Sequence, residues 1–335
     1  MVLTLRLNGQ PIDGLLRATI ISNNYFSSDS FSFSVACGDM RFKRFDDLVG
    51  LSQIYAELTM EDATGDNSLI YGKVDRITID PVVGILSAEG RDLSALLIDS
   101  YVQQDFVNQT ASEVVYLLSA SFGLTPEVFP TLGEVGRFFE NGYAKLSLAD
   151  YSRFRSNWDL VVELAREQNF DVFVKGTTLY FGPSPALSAK PINLSLSNTA
   201  QIQFDYNPNV SSSPSVTVQT WDSQQLAAYR GAEEASADGS GVQVSNGTGY
   251  LFSQPNLTAV QADAMAAMYS REIGRLNTMV RIQMPWNIDI TPRSLISLTA
   301  TGTPFDGLYL VDCVERLFCT TSGSIQYVTG VSWNP

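Results

Sequence analysis

The sequence predicts a mainly β protein in which two β domains flank a small α/β domain. Short segments that alternate apolar and polar residues recur near both ends of the chain, whereas helical periodicity is concentrated between them and in one later segment. A length of 335 residues is sufficient for two or three domains. We therefore expect domains at 1–98, 99–190 and 191–335.

The first β segment begins with Leu3, Leu5 and Leu7, which alternate with polar neighbours before a tight turn at Asn8-Gly9. Further alternation predicts five more strands, and the short spacing between them is typical of a barrel or a sandwich. These predicted strands are 18–22, 30–35, 54–60, 69–79 and 85–89.

Two helices are predicted in the middle segment. Thr110 is placed to cap the first, with Glu113 completing a capping box and Gly123 ending the helix. Residues 125–150 are expected to be rich in loops. Ser156 or Asn157 caps the second helix, Asn169 suits its C-terminal exit, and a hairpin with its turn at Lys175-Gly176 follows. The apolar residues at helical spacing are Trp158, Val161, Val162, Leu164 and Ala165.

The last segment returns to strands and contains one long helix. Residues 222–256 are rich in Ser, Gly, Ala and Asn and lack periodicity, so we expect a loop-rich insertion there. A helix is predicted at 257–276, with Thr258 as its cap. The predicted strands are 192–196, 201–206, 215–221, 280–284, 295–299, 307–318 and 324–331.

Charge and composition exclude several functions. The formal charge of −14, from 35 acidic and 21 basic residues, disfavours binding to a phosphate backbone, which requires clustered Lys and Arg. An acidic wall is nevertheless compatible with DNA that passes without being held. The absence of histidine removes His-based triads, His metal sites and His proton relays.

The three cysteines, Cys37, Cys313 and Cys319, show neither a CxxC motif nor zinc-site spacing. We expect small buried side chains and no disulfide framework. The N-terminal stretch lacks the apolar core of a signal peptide. No run approaches the ~20 apolar residues that span a membrane, so no membrane anchor is expected.

No arrangement of carboxylates predicts a catalytic or metal site. Asp62, Asp66 and Asn67 could bind calcium in a loop, but their spacing fits no known calcium-binding loop. Glu113, Glu163 and Glu167 leave a carboxylate pair for glycoside cleavage open, although no pattern brings two of them together. We therefore expect no catalytic, cofactor-binding or metal-binding residues.

Two further features favour structural roles over ligand binding. The Gly-rich residues 239–249 lack the Lys and Ser/Thr of a phosphate-binding loop. The tryptophans are scattered along the chain, which indicates core or interface anchors more than a platform for sugars. They are Trp158, Trp221, Trp286 and Trp333.

Several motifs together resemble one family. LRLNGQPIDGLLRATIISNNYFSSDSFSFSV resembles the opening of tailed-phage baseplate hub proteins, the late-control-protein-D-like family. LSAEGRDLSALLIDS and the following TASEVVYLLSASFGL resemble that family's passage from its first barrel into its middle domain. SNWDLVVELAREQNFDVFVKGTTLYFGP is similar to its Trp-led helix and hairpin, and residues 262–318 are similar to its last third.

The resemblance implies two tail-tube-like β-barrels flanking a small α/β domain, in a non-enzymatic structural hub. Three copies would form a homotrimer whose ring of six barrels adapts a six-fold tail tube to a three-fold spike or tip. The implied partners are a tail tube or distal tail protein, a central spike or tip protein and a tape measure protein, with DNA crossing the lumen unheld. The implied location is the tail tip or baseplate of a virion made in the bacterial cytoplasm.

Two other classes of function stay open at this point. A carboxylate-dependent cell-wall hydrolase predicts sustained turnover of peptidoglycan that one Glu or Asp substitution abolishes. A carbohydrate-binding tail module predicts saturable glycan binding that quenches tryptophan fluorescence.

Overall fold

The computed structural model is predominantly β, which confirms the predicted class. It describes residues 2–37, 50–51, 53–62, 65–102, 106–135, 147–148, 156–210, 214–222, 227–233, 249–254 and 257–333. The chain groups into two compact units. Unit 1 comprises Met1–Ser188, Gln283–Arg293 and Asp312–Tyr327, and unit 2 comprises Ala189–Ile282, Ser294–Val311 and Val328–Pro335. The boundaries expected at 98 and 190 stay a prediction.

The first seven strands of unit 1 form one antiparallel sheet in the order β3-β4-β7-β6-β5-β1-β2. Residues 313–319 of a later strand pair with β3 at its other edge. The strands are β1 (Val2–Leu7), β2 (Gln10–Ile12), β3 (Leu15–Asn23), β4 (Ser30–Ala36), β5 (Tyr55–Asp62), β6 (Gly65–Asp80) and β7 (Ile85–Asp92).

Alternation decides which face of this sheet is buried. In β4, Phe31, Phe33 and Val35 are buried, whereas the serines between them lie on the other face. Gly90 of β7 makes room for Phe31, because a Cβ on Gly90 would lie 2.5 Å from Cζ of the Phe31 ring. The turn predicted at Asn8-Gly9 is present, with φ of 46° and 77°.

The helices of unit 1 begin and end close to the predicted residues. α1 (Ala95–Ile98) is short; α2 (Ala111–Ser121) and α3 (Asn157–Glu167) each start with a complete capping box, at Thr110 and Ser156 respectively. Their buried faces share one apolar core with a three-stranded sheet. That sheet contains β9 (Thr125–Val128), β11 (Asp171–Lys175) and β12 (Thr178–Gly182).

Two short strands also fall within the stretch expected to be rich in loops. β9 pairs parallel to β12, so this part of 125–150 is a strand because a neighbour supplies its hydrogen bonds. β8 (Phe106–Val107) pairs with β10 (Ser147–Leu148). Most of the remaining loop prediction, at 136–146 and 149–150, lies outside the described residues.

Unit 2 contains antiparallel strands and a separate helix-covered sheet. Its strands are β13 (Ile192–Leu194), β14 (Gln201–Tyr206), β18 (Thr278–Met284), β19 (Leu295–Leu298), β20 (Gly307–Cys319) and β21 (Gly323–Ser332). Residues of β18, β20 and β21 divide between the two units, and β19 pairs antiparallel with β20 and parallel with β13. Two 3-10 turns, Pro185–Leu187 and Leu196–Asn198, precede β14.

The expectation of a loop-rich insertion at 222–256 is corrected for the described part of that segment. β16 (Ala227–Glu233) and β17 (Tyr250–Ser253) flank β15 (Val216–Asp222) in a three-stranded sheet. The helix α4 (Ala259–Arg275) covers this sheet, and Thr258 caps the N-terminus of the helix as predicted. The sequence did not predict these strands because their packing depends on small residues. Gly231 lets the backbones of β16 and α4 approach closely, and such residues give no alternating hydrophobic pattern.

No helix among the described residues is long and apolar enough to cross a membrane.

Candidate functional site

The described residues hold no group of three or more Cys, Asp or Glu that could bind a metal ion. The side chains of Asp62 and Asp66, considered above for calcium, lie outside the described part of the chain. So do residues 234–248, which include most of the Gly-rich stretch. The expectation of no catalytic, cofactor or metal site therefore stays a prediction.

The three helical glutamates lie on two different helices. Oε2 of Glu113 accepts the N–H of Thr110 at 2.8 Å, so this carboxylate helps to cap α2. Glu163 and Glu167 lie one turn apart on α3. Glu113 is therefore accounted for by helix capping.

Three of the four tryptophans are buried anchors, as the sequence indicated. The indole N–H of Trp158 donates to the Phe26 carbonyl at 2.6 Å, and that of Trp286 donates to the Ile325 carbonyl at 2.8 Å. Trp333 lies beneath the Arg275 guanidinium, 4.5 Å from the ring centroid. Trp221 differs, since it is 53% exposed on β15.

The cysteine prediction is correct for Cys37 alone. Cys37 is buried, but Cys313 and Cys319 are only partly buried on β20. None of the three forms a disulfide. Hydrogen bonds from Thr321 lower the pKa of the Cys319 thiol to about 6. The correction arises because Cys313 and Cys319 lie on the same face of β20, which is partly exposed, whereas Val314 and Arg316 on the opposite face are buried.

The connection between β3 and β4, residues 23–29, receives hydrogen bonds from several other segments of unit 1. We call this connection, together with the side chains that bind it, the buried joint. Its sequence, NNYFSSD, has the composition of an ordinary turn. Its backbone groups are nevertheless bound by residues from several distant segments. Among them, the Asn24 N–H donates to the Asp312 carbonyl at 2.8 Å, and the Phe26 carbonyl accepts from Trp158.

Arg293 binds two carbonyl groups of the buried joint. Its Nη1 donates to the Asn23 carbonyl at 3.2 Å and its Nη2 to the Asn24 carbonyl at 3.4 Å. The same guanidinium forms two hydrogen bonds with Asp171 and lies 4.2 Å from the centroid of the Phe173 ring. Arg293 has a φ of 72°, a left-handed conformation that is uncommon for arginine. The bonds made by the guanidinium offset that local strain.

The carboxyl groups of Asp92 and Asp29 accept further hydrogen bonds at the buried joint. Oδ2 of Asp92 accepts the Asp29 N–H at 3.1 Å, and Oδ1 of Asp92 accepts both the backbone N–H and the hydroxyl of Ser94. Oδ1 of Asp29 accepts the Asn23 N–H at 2.8 Å. Burial, reinforced by the charge of Asp29, raises the pKa of Asp92 to about 7. Burial also raises the pKa of Asp29.

Asp312 and Arg316, both on β20, are two further charged residues at the buried joint. The carboxylate of Asp312 accepts from the Tyr25 hydroxyl and from the Asn24 amide. Nη2 of Arg316 donates to the Ile290 carbonyl at 2.6 Å, while its Nε has no hydrogen-bond partner. Burial lowers the pKa of Arg316 to about 10, although the charge of Asp29 opposes that shift. The hydrogen bonds of these side chains connect segments that are distant along the chain.

Sequence reasoning missed the buried joint because its partners are far apart along the chain. Asp171 and Arg293 are separated by 122 positions, and Tyr25 and Asp312 by 287. No local pattern marks such pairs. The sequence offers one weak signal, an arginine directly after a proline in an otherwise uncharged turn, Ile290-Thr-Pro-Arg293.

The sequence matches no known protein-family model, and a comparison with curated proteins found no match. Solved structures do match in fold. A tail protein from Neisseria meningitidis MC58 has a TM-score of 0.73 at 14% identity, covering 98% of this chain and 96% of its own. A 43 kDa tail protein of prophage MuSo2 from Shewanella oneidensis has a TM-score of 0.72 at 14% identity, covering 98% of each chain.

A third match is to a component of a bacterial secretion system. The E. coli c3393 protein, described as a type VI secretion component structurally similar to the T4 tail proteins gp27 and gp5, has a TM-score of 0.58 at 10% identity. The match covers 98% of this chain and 77% of that one. The chain thus has a mainly β fold that matches phage tail proteins, and the fold class that the sequence resemblance implied is confirmed.

Proposed function

We propose that this protein is the structural hub of a phage or phage-like tail tip or baseplate. The observation that carries the proposal is the fold match to a tail protein over 98% of this chain and 96% of the other. Because the match spans both chains almost completely, the two chains share a fold over nearly their full lengths and not in one domain alone. The hydrogen bonds and the ion pair of the buried joint support a structural role over a catalytic one.

In this proposal three copies form a ring of six barrels that adapts a six-fold tail tube to a three-fold spike or tip. Closed point symmetry makes a homotrimer the natural state of such a ring. The chain would contact a tail tube or distal tail protein, a spike or tip protein and a tape measure protein. The charge of −14 supports a channel that DNA crosses without being held.

The proposed domains are 1–98, 99–190 and 191–335, with barrels at the two ends. Separate apolar cores support this division. One core lies among the first seven strands and also includes Trp286, a second spans residues 93–181, and a third joins β15 to α4. We propose a non-enzymatic protein located in the virion and made in the bacterial cytoplasm.

The test is the mass in solution of the purified 36.7 kDa chain, alone and with the tube and spike proteins of the same particle. A trimer, or a trimer formed only with a partner, is the expected result. A monomer under every condition contradicts the ring. Turnover of peptidoglycan by the purified chain would instead favour the hydrolase, and saturable glycan binding would favour a carbohydrate-binding module.

A further inference from the structure

Two buried side chains with unsatisfied hydrogen-bond donors bind one short turn of unit 1, residues 287–290. Arg316 of β20 is 3% exposed and Gln326 of β21 is 0% exposed. Among the described residues, nothing accepts a hydrogen bond from Nε of Arg316 or from Nε2 of Gln326. A buried donor without an acceptor costs free energy, and a charged donor costs more. Such groups in folded proteins therefore indicate a bound water or ion.

The 287–290 turn brings the two donors to the same place. Oε1 of Gln326 accepts the Asn287 N–H at 3.1 Å, and Nη2 of Arg316 donates to the Ile290 carbonyl at 2.6 Å. The turn closes through the Ile290 N–H, which donates to the Asn287 carbonyl at 3.4 Å. β20 and β21 are neighbours in the sheet. The two side chains therefore come from adjacent strands and hold opposite ends of the same turn.

The orientation of the Gln326 amide is fixed by the turn. If its oxygen and nitrogen were exchanged, its NH2 group would face the Asn287 N–H, and a donor would oppose a donor. The segment cannot move away, because the indole N–H of the preceding Trp286 donates to the Ile325 carbonyl at 2.8 Å. Rotation of the amide therefore cannot satisfy Nε2, and its acceptor must be a bound molecule.

The charges near Arg316 favour a neutral occupant over an anion. Besides Asp92, the buried joint holds three carboxylates against two guanidinium groups, namely Asp29, Asp171 and Asp312 against Arg293 and Arg316. A bound anion would add to this excess of negative charge in an interior of low polarity, where an uncompensated charge is costly. A neutral acceptor carries no such cost.

We propose that internal water accepts the hydrogen bonds of Nε of Arg316 and Nε2 of Gln326, which makes the 287–290 turn the edge of a hydrated site inside unit 1. Water fits because it is neutral, accepts from two donors and donates two hydrogen bonds in return. The carboxylate of Asp29, whose charge acts on Arg316, is a suitable acceptor for a water O–H. The bound water thus adds to the hydrogen bonds that attach the turn to β20 and β21. This site does not depend on the proposed hub function.

The first test is a crystal structure of the purified chain in which ordered water is visible. Density for water is expected about 2.7–3.2 Å from Nε of Arg316 and from Nε2 of Gln326. A crystal soaked in sodium bromide distinguishes an anion, because bromide replaces chloride and scatters anomalously. An anomalous peak beside these two atoms overturns the assignment of water. A structure in which protein acceptors bind both donors, without density for water, also overturns it.

Oxygen-17 relaxation dispersion of the solvent tests the site in solution, since it counts long-lived internal waters. Gln326→Met is expected to lose one such water, because methionine has a similar length but its thioether has no donor. The matched control is Gln201→Met, at an exposed position of β14, which should keep the count of the unmodified chain. An unchanged count in Gln326→Met contradicts the proposal. If Gln326→Met does not fold, the crystal structure of the unmodified chain decides.

Discussion

The carboxylate of Asp171 and the guanidinium of Arg293 form a two-point ion pair in the interior of unit 1. Oδ2 of Asp171 lies 2.6 Å from Nε of Arg293, and Oδ1 lies 3.2 Å from Nη2. The two side chains are only 9% and 8% exposed. The pair joins β11 to the segment that enters β19, and through Arg293 it reaches the carbonyl groups of Asn23 and Asn24. Each partner satisfies a charge that the other's removal would leave buried.

Replacement of Asp171 is expected to be strongly destabilising. Asp171→Ala leaves the Arg293 charge buried and uncompensated, which costs about 3–5 kcal/mol of the free energy of unfolding. Chemical denaturation measures the change. The control is Glu89→Ala, which breaks the exposed pair between Arg76 and Glu89 and should cost less than about 1 kcal/mol. Equal losses in the two variants would contradict the role given to the buried pair.

Stability is expected to fall as the pH rises from about 4 to about 7, and the loss levels off at higher pH. Burial raises the pKa of Asp92 to about 7 in the folded chain, whereas an unfolded aspartate titrates near 3.9. The folded state therefore binds more protons across this window. The contribution of Asp92 is fully present below about pH 4 and is lost as the pH rises through 7, with a slope approaching about 1.4 kcal/mol per pH unit.

Denaturation between pH 4.5 and 8 in the Asp92→Asn variant tests this origin. The variant loses hydrogen-bond acceptor capacity, so the relevant quantity is its pH slope and not its absolute stability. A flatter slope than that of the unmodified chain is expected. Asp289→Asn, at an exposed carboxylate, is the matched control variant. An identical slope in Asp92→Asn would show that another group controls the titration.

The close approach of β16 and α4 makes Gly231 intolerant of a side chain. A Cβ at Gly231 would lie 2.3 Å from the carbonyl carbon of Ala262 and 2.4 Å from the nitrogen of Asp263. Gly231→Ala must therefore shift the strand or the helix, which costs about 1–3 kcal/mol. Thermal unfolding measures this loss. Gly249→Ala is the control, because its Cβ would enter open space. A neutral Gly231→Ala would mean that the strand does not pack on the helix as described.

Collisional quenching should report mainly one tryptophan. Acrylamide reaches exposed indoles, and Trp221 is 53% exposed whereas Trp158, Trp286 and Trp333 are 6–8% exposed. Trp221→Phe is therefore expected to remove most of the quenchable fluorescence. Trp286→Phe serves as the contrasting variant and should leave the quenchable fraction nearly unchanged. Strong residual quenching in Trp221→Phe would indicate that one of the buried indoles is accessible in solution.

The sequence by itself determined the local elements. The capping boxes at Thr110 and Ser156, the turn at Asn8-Gly9 and the alternation of Phe31 with Phe33 all act through residues within a few positions of one another. A cap satisfies the first backbone N–H groups of its own helix, and alternation buries one face of its own strand. Such signals can be recognised without knowing which distant segment packs against the element. The family resemblance that rests on them led to the correct fold class.

Only the tertiary structure decided which distant segments meet. β16 and β17 lack a hydrophobic period, and they are strands because β15 supplies hydrogen bonds and α4 covers them. The buried joint likewise depends on side chains that are more than a hundred positions apart. A buried charge is stable only beside its partner, and the choice of partner is a property of the packed chain and not of either residue's neighbours.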